Sequence, residues 1–318
     1  MLFALCLSSA DAQQTGKVFR IGYLDVSTVS GSAVFVDALR QELGKLGWTE
    51  GKNITIEYRF AEQKEERLPE LAADLVRLKV DVLVVTGGGP ALAVKEASSS
   101  IPTVMTAASE PVASGLVASL ARPGGNVTGL SVMTSALNTK RLEILNDAIP
   151  KLGRVGFMRS AQVSTTATLE LKELRAAATA LKLSLEDIET SIDAKGIENA
   201  FQIAKQKQIG AIMTASSRYF LAEKRRIVEL ANKNRLPAMY HQKEYVDQGG
   251  LMSYGVDYID LYRRTAVYVD KVLKGAKPAD LPVQQATKFE FVINLRAAKQ
   301  IGLIIPVDLL HRANQVIK

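Results

Sequence analysis

Residues 101–130, IPTVMTAASEPVASGLVASLARPGGNVTGL, constrain the architecture more than any other stretch. They read as a buried strand over 103–106, a polar loop ending at Glu110-Pro111, a helix of small residues, the turn Arg122-Pro123-Gly124-Gly125-Asn126 and a second strand over 127–130. Pro123 fixes φ and the glycines after it admit positive φ, so the chain can reverse sharply before Val127. Strand and helix alternate before this run and alternate again after it. The same pattern on both sides of one crossing point predicts an α/β fold of two similar lobes with a cleft between them.

The first half carries the pattern plainly. Residues 17–24 (KVFRIGYL) read as a strand, followed by the polar loop 25–31. Val34, Phe35, Ala38, Leu39, Leu43 and Leu46 recur near the helical period, and Gly47 stops that helix. Residues 53–60 alternate as a strand does, and 68–78 are helical with Pro69 in the first turn. Residues 80–85 (VDVLVV) are almost continuously apolar, as parallel strands covered on both faces are. Thr86-Gly87-Gly88-Gly89-Pro90 then leads into a helix. Ligands bind open parallel sheets at the carboxyl ends of their strands, so loops 25–31, 86–90 and 106–110 are expected to line one mouth.

The second half repeats the scheme. Strand 154–158 is followed by loop 159–166, and strand 211–213 by Thr214-Ala215-Ser216-Ser217-Arg218 and a helix over 219–232. Strand 237–240 precedes His241-Gln242, and residues 249–253 lead into Tyr254-Gly255-Val256-Asp257. A proline-bearing connector over 275–282 precedes a last strand at 289–294.

Composition narrows the class. A formal charge of +7 would suit nucleic acid or an anionic membrane, but the basic residues are scattered among acidic partners, with no basic block. Nucleic-acid binding is therefore not expected. Residues 2–7 are apolar, and Ala10 and Ala12 fit a signal-peptidase site, so 1–12 read as the remnant of a signal peptide with Gln13 as the mature start. The single cysteine, Cys6, falls in that segment, and no disulfide is expected. No stretch approaches the ~18 apolar residues of a membrane span. An exported, periplasmic protein is the expectation.

The chemistry-bearing motifs point to binding. The glycine loop at 86–90 lacks the spacing of a phosphate cradle, yet Gly87 and Gly88 still let a ligand approach main-chain N–H groups. His241 and His311 are the only histidines, and no partner stands at metal-ligand spacing, so neither a metal nor a cofactor is expected. His241 follows a strand at the mouth, where it could hydrogen-bond a ligand or simply be a surface histidine. No G-x-S-x-G elbow appears. Glu110 and Asp25 could form a carboxylate pair for hydrolysis, although loop carboxylates more often cap helices or pair with a bound amine. Ser216 and Thr165 stand at helix starts, where a hydroxyl ordinarily caps. Tyr240, Tyr254 and Tyr258 follow strands near the cleft, and three together point to an aromatic-lined pocket.

Several runs then resemble one family. The 101–130 run, GGLMSYGVD, YVDKVLKGAKPADLPVQQATKFEFVINLRAAKQIGLIIP and the closing LLHRANQVIK are similar to the ABC-transporter substrate-binding proteins typified by tryptophan and tyrosine uptake. The resemblance runs from about Phe19 to the end. It implies a type I periplasmic-binding-protein architecture: two Rossmann-like lobes with parallel sheets, joined by crossing strands that act as a hinge. The implied division is 13–134 with 255–283 in one lobe and 135–254 with 284–318 in the other. It also implies an ABC permease and ATPase at the membrane as partners, and a monomer is expected. The family usually carries Asp-Pro where this chain has Glu110-Pro111, and the extra methylene moves that carboxylate.

The expected activity is capture of a small solute without chemistry, an amino acid (aromatic ones included) or a small organic acid. One lobe would present Ser27, Thr28, Thr86, Gly87, Gly88, Thr106, Ser109 and Glu110. The other would present Ser160, Thr165, Ser216, Tyr240, His241 and Tyr254. A ligand-responsive transcription regulator would need a helix-turn-helix of about 50–60 residues before the first strand. That strand begins near Lys17. An α/β hydrolase would need a positioned nucleophile and base, which the sequence does not display. A module that signals to a membrane receptor is the remaining alternative.

Overall fold

The computed structural model of the chain describes residues 17–160 and 165–318, the side chains of 165–167 excepted. The expected signal segment over 1–12 lies outside the described residues. The first half runs β1 (Phe19–Asp25), α1 (Val29–Lys45), β2 (Ile54–Phe60), α2 (Leu68–Arg77), β3 (Val82–Thr86), α3 (Gly88–Ala97), β4 (Thr103–Ser109) and β5 (Val127–Val132). The second runs α4 (Thr134–Ala148), β6 (Arg154–Ser160), α5 (Thr165–Ala180), β7 (Ser184–Thr190), α6 (Ala194–Gln206), β8 (Ala211–Thr214), α7 (Arg218–Ala222), α8 (Lys224–Lys233), β9 (Ala238–Tyr240), α9 (Lys243–Asp247) and β10 (Met252–Val256). The last part runs α10 (Tyr258–Leu273), β11 (Gln284–Gln285), β12 (Phe289–Asn294), α11 (Leu295–Ile301), α12 (Val307–Arg312) and β13 (Gln315–Ile317).

These strands form two separate sheets, ordered β11-β5-β4-β3-β1-β2 and β13-β12-β10-β9-β8-β6-β7. Pairing is parallel except between β10 and β12. Strand order reverses within each sheet, which opens a crevice at the carboxyl ends of the strands. The chain passes between the sheets after β5, after β10 and after β11. The second sheet holds the chain through Val256, and Gln284 and Gln285 still pair with β5 of the first.

Each sheet buries both faces, which is why its strands are apolar almost without interruption. On β3, Val82 and Val84 pack with Phe35 and Leu39 of α1 and Tyr262 and Val269 of α10. Leu83 and Val85 pack on the other face with Leu75 of α2 and Val94 of α3. In the second sheet Val155 and Phe157 face Leu142, Leu145 and Leu174, while Met158 and Ile212 face Phe201 and Ile227.

Three local readings change. The helix of small residues expected after Pro111 is a series of turns. Gly115 sits at φ 71°, outside helical space, and Lys95 of α3 bonds its carbonyl from the side. The helix expected over 219–232 breaks at Glu223 into α7 and α8. Strand β4 runs three residues past its expected end, to Ser109, through a bulge in which Ala107 has φ 57°. The bulge increases the bend of the strand and moves the mouth from Thr106 to Ser109.

Beside that bulge, β5 crosses β4 at Gly129 with φ 129°, and a Cβ there would lie 2.1 Å from the Met105 carbonyl oxygen. Gly129→Ala is expected to lower stability by roughly 3 kcal/mol, because neither the dihedral nor the neighbouring strand can yield. Denaturant unfolding monitored by circular dichroism checks this.

Candidate functional site: an interlobe cavity

The carboxyl ends of β1, β3, β4, β6, β8 and β9 converge on a cavity of about 440 Å³. From the first lobe, Thr86, Gly87, Gly88 and Ser109 form part of its wall. Gly87 turns the chain out of β3 at φ 88° and serves as the N-cap of α3, which puts bare backbone against the space. From the second lobe come Ser160, Ser216 and His241. These seven were all expected at the site, and they do lie together.

The other expected residues have different surroundings. Ser27 turns inward beneath the mouth, with its N–H donating to Asp25 Oδ1 at 2.9 Å. Thr28 caps α1, accepting from the Gly31 N–H at 3.0 Å. Thr106 is wholly buried and shares a 2.7 Å hydrogen bond with Thr265 of α10, a consequence of the longer β4. Glu110 has φ 44° and accepts from Ser135 Oγ at 3.5 Å. Tyr240 is the last residue of β9, not part of a loop, and stacks on Tyr245 at 4.6 Å. Tyr254 lies within β10, with its ring against Phe289 and Phe291 and its carbonyl accepting from Arg141. Strand tyrosines follow the pleat, so these two join the core. Thr165 opens α5, and its side chain lies outside the described residues.

Charged groups dominate the electrostatics, and of these sequence reading weighed only Asp25, in a different role. Arg218, at the start of α7, reaches the other lobe and donates from Nη2 to Asp25 Oδ2 at 2.6 Å and to Ser32 Oγ at 2.9 Å. Asp25 is fully buried and also accepts from Tyr23 Oη at 3.1 Å and Ser32 Oγ at 2.7 Å. It therefore makes no carboxylate pair with Glu110. A hydroxyl chain leads from core to cavity: Tyr262 donates to Thr86 Oγ1 at 3.2 Å, and Thr86 donates to Tyr23 Oη at 3.3 Å. Burial alone would disfavour the charge on Arg218, but Tyr262, Asp25 and Tyr23 more than offset it and hold its pKa above the ordinary value.

Behind the second lobe's wall, Arg141 is almost fully buried. It donates to the Tyr254 carbonyl at 2.6 Å, Asn138 Oδ1 at 2.7 Å and Ser216 Oγ at 3.1 Å. Burial draws its pKa down to about 10. Burial, then the charge on Arg141, draws His241 down to about 3, so its ring is neutral and only 3.4 Å from Thr214 Oγ1. Among the described residues no cluster of ligands suits a metal ion. No helix among the described residues is long and apolar enough to cross a membrane. The signal for Arg218 was its place in the loop after β8, the one charge in the run Thr214-Ala215-Ser216-Ser217-Arg218.

Glu170 of α5 also borders the cavity. Burial pushes its carboxyl up from 4.5 to about 7, with Arg141 opposing and Glu110 adding to the rise. Because the folded-state value exceeds the unfolded one, the folded protein holds an extra proton. The stability that proton confers is complete below about 4.5 and is lost as pH rises through about 7. Glu170→Gln has no proton to lose. It is expected to gain on the wild type from about pH 5 to about pH 8, by up to about 3 kcal/mol, as thermal melts across that range would record.

Comparison with known proteins agrees with this geometry. The family model described as "ABC transporter substrate binding protein" matches residues 27–317. A tyrosine-binding protein of Clostridioides difficile is 26% identical over 269 residues, 85% of this chain and 75% of that protein. A conserved domain protein from Vibrio cholerae superposes with a TM-score of 0.88 at 27% identity, over 94% of this chain and 100% of the other. An ABC domain from Streptococcus pneumonia in complex with L-Trp gives 0.86 at 25% identity, over 94% and 99%. With two parallel-stranded lobes around one cavity and a family match over nearly its whole described length, the chain belongs to the ABC transporter substrate-binding protein family.

Proposed function

We propose that this protein is the solute receptor of an importer. Outside the cytoplasm it takes an α-amino acid, aromatic ones included, into the interlobe cavity and delivers it to a membrane permease driven by an ATPase. The observation that carries this reading is a cavity walled by both lobes. A solute touching both walls favours the closed form by the difference in its affinity for closed and open states, and a partner that senses closure can read that difference. The volume, about 440 Å³, suits a single small ligand.

The lining fits an amino acid. Hydroxyls and bare backbone at Thr86, Gly87, Ser109 and Ser216 supply hydrogen bonds, and Tyr219 and Tyr258 supply aromatic surface. Two relatives about a quarter identical in sequence have names that state an amino acid, tyrosine for one and L-Trp for the other. Turnover finds little support. The cavity histidine is too weak a base, with its pKa near 3, to activate the neighbouring Thr214 hydroxyl.

A panel of amino acids, organic acids and sugars tests the reading by calorimetry and thermal shift. A ligand at 100 times its dissociation constant adds about 2.7 kcal/mol, a shift of several degrees. L-Tyrosine or L-tryptophan is expected to give that shift and to be recovered unaltered. A response to sugars alone, or conversion of the bound compound, would contradict the reading.

A further inference from the structure

The cavity borders Arg218, Arg159 and, behind Ser216, Arg141, and the three differ in what holds them. Arg159 is engaged by Asp187 through Nε and Nη2, by Glu189 through Nη2 and by the Ser160 carbonyl through Nη1. Arg141 donates through Nε and Nη1 to neutral oxygens. Arg218 uses only Nη2, and its Nε and Nη1 are buried without an acceptor. Its plane is set by the Phe35 ring, 5.4 Å from Cζ, and by Asp25. A guanidinium buried with donors unmet is costly, and in a cavity wall an incoming ligand is what can meet them.

The neighbouring hydroxyl has the complementary arrangement. Ser216 Oγ accepts from Arg141 Nη1 at 3.1 Å, which leaves its own proton free to be donated into the cavity it lines. The hydrogen bonds of Arg141 named above go to no carboxylate, and its charge lies behind Ser216, with Glu170 reached through Asn138. An arginine with open donors, a donating hydroxyl and a cation behind it all favour an anionic oxygen.

We propose that the 216–218 loop binds the ligand's carboxylate through Arg218 and the Ser216 hydroxyl, with Arg218 shared between that carboxylate and Asp25 of the opposite lobe. The assignment rests on the receptor reading above and specifies its ligand class as a carboxylate. It also ties capture to closure. An open donor of Arg218 is met while Nη2 still grips Asp25, so the filled site holds the lobes together more firmly than the empty one. Loss of the carboxylate should therefore weaken binding more than loss of any apolar part of comparable size.

The test is calorimetric titration of the full chain with matched pairs: L-tyrosine against tyramine, and L-tryptophan against tryptamine. The wild type is expected to prefer the acid by about 100-fold or more, since a site built around an anion rejects the analogue lacking it. Arg218→Gln, which also releases Asp25, is expected to weaken both ligands but tyrosine by about 100-fold more than tyramine, collapsing the preference. Ser216→Ala is expected to reduce the preference by about 10-fold, and it carries the comparison should the arginine variant not fold. Equal affinity of the wild type for acid and amine, or a variant that weakens both alike, overturns the assignment while leaving amino-acid capture standing. Tight binding of an organic acid but of no amino acid keeps the assignment and contradicts the amino-acid reading. Binding of neither contradicts both.

Discussion

A buried ion pair joins the two lobes beside the cavity. Asp25 ends strand β1 of the first lobe, and Arg218 opens α7 of the second, 193 residues later in the chain. Both are removed from water, and the aspartate accepts from Tyr23, Ser27 and Ser32 of its own lobe as well. Such a pair stabilises little against an apolar alternative, but deleting one partner strands a buried charge at a cost of about 3–5 kcal/mol. Its value here is positional. It sets where the two lobes meet, and the cavity walls follow from that.

The fold supplies what the pair needs. Parallel strands deliver their carboxyl ends to one edge, and each ends in a short polar turn before its helix. That edge gathers Thr86 and Gly87 from β3, Ser109 from β4, Ser216 after β8 and His241 after β9. Burial of both sheet faces keeps these ends rigid, while the links between lobes are few. The result is two packed halves whose facing edges form the seam.

Much of this was legible in the sequence, for a physical reason. A strand buried on both faces must be apolar throughout, so 80–85 declared itself, and the hydroxyl- and glycine-rich loops after such strands marked the mouth. The glycines at 87 and 88 and the serines at 109 and 216 were found by that rule alone. What local pattern cannot show is which side chains meet across distance. The partner of Asp25 lay in the other lobe, and no spacing rule links them. Tyr240 and Tyr254 misled because an aromatic at a strand end fits a pocket and a core equally well. The pleat decided between them, sending Tyr240 against Tyr245 and leaving His241 at the wall. Thr106 was displaced by a bulge in which Ala107 takes a left-handed conformation and the register with β5 shifts.

The most direct measurement is the separation of the lobes in solution. Spin labels on Lys45 of α1 and Arg225 of α8, both exposed, report it by pulsed dipolar spectroscopy. With Asp25 intact, a narrow short-distance population is expected, and Asp25→Asn should broaden it toward longer distances without altering either lobe's fold. An unchanged distribution in the variant would contradict the role given to the ion pair.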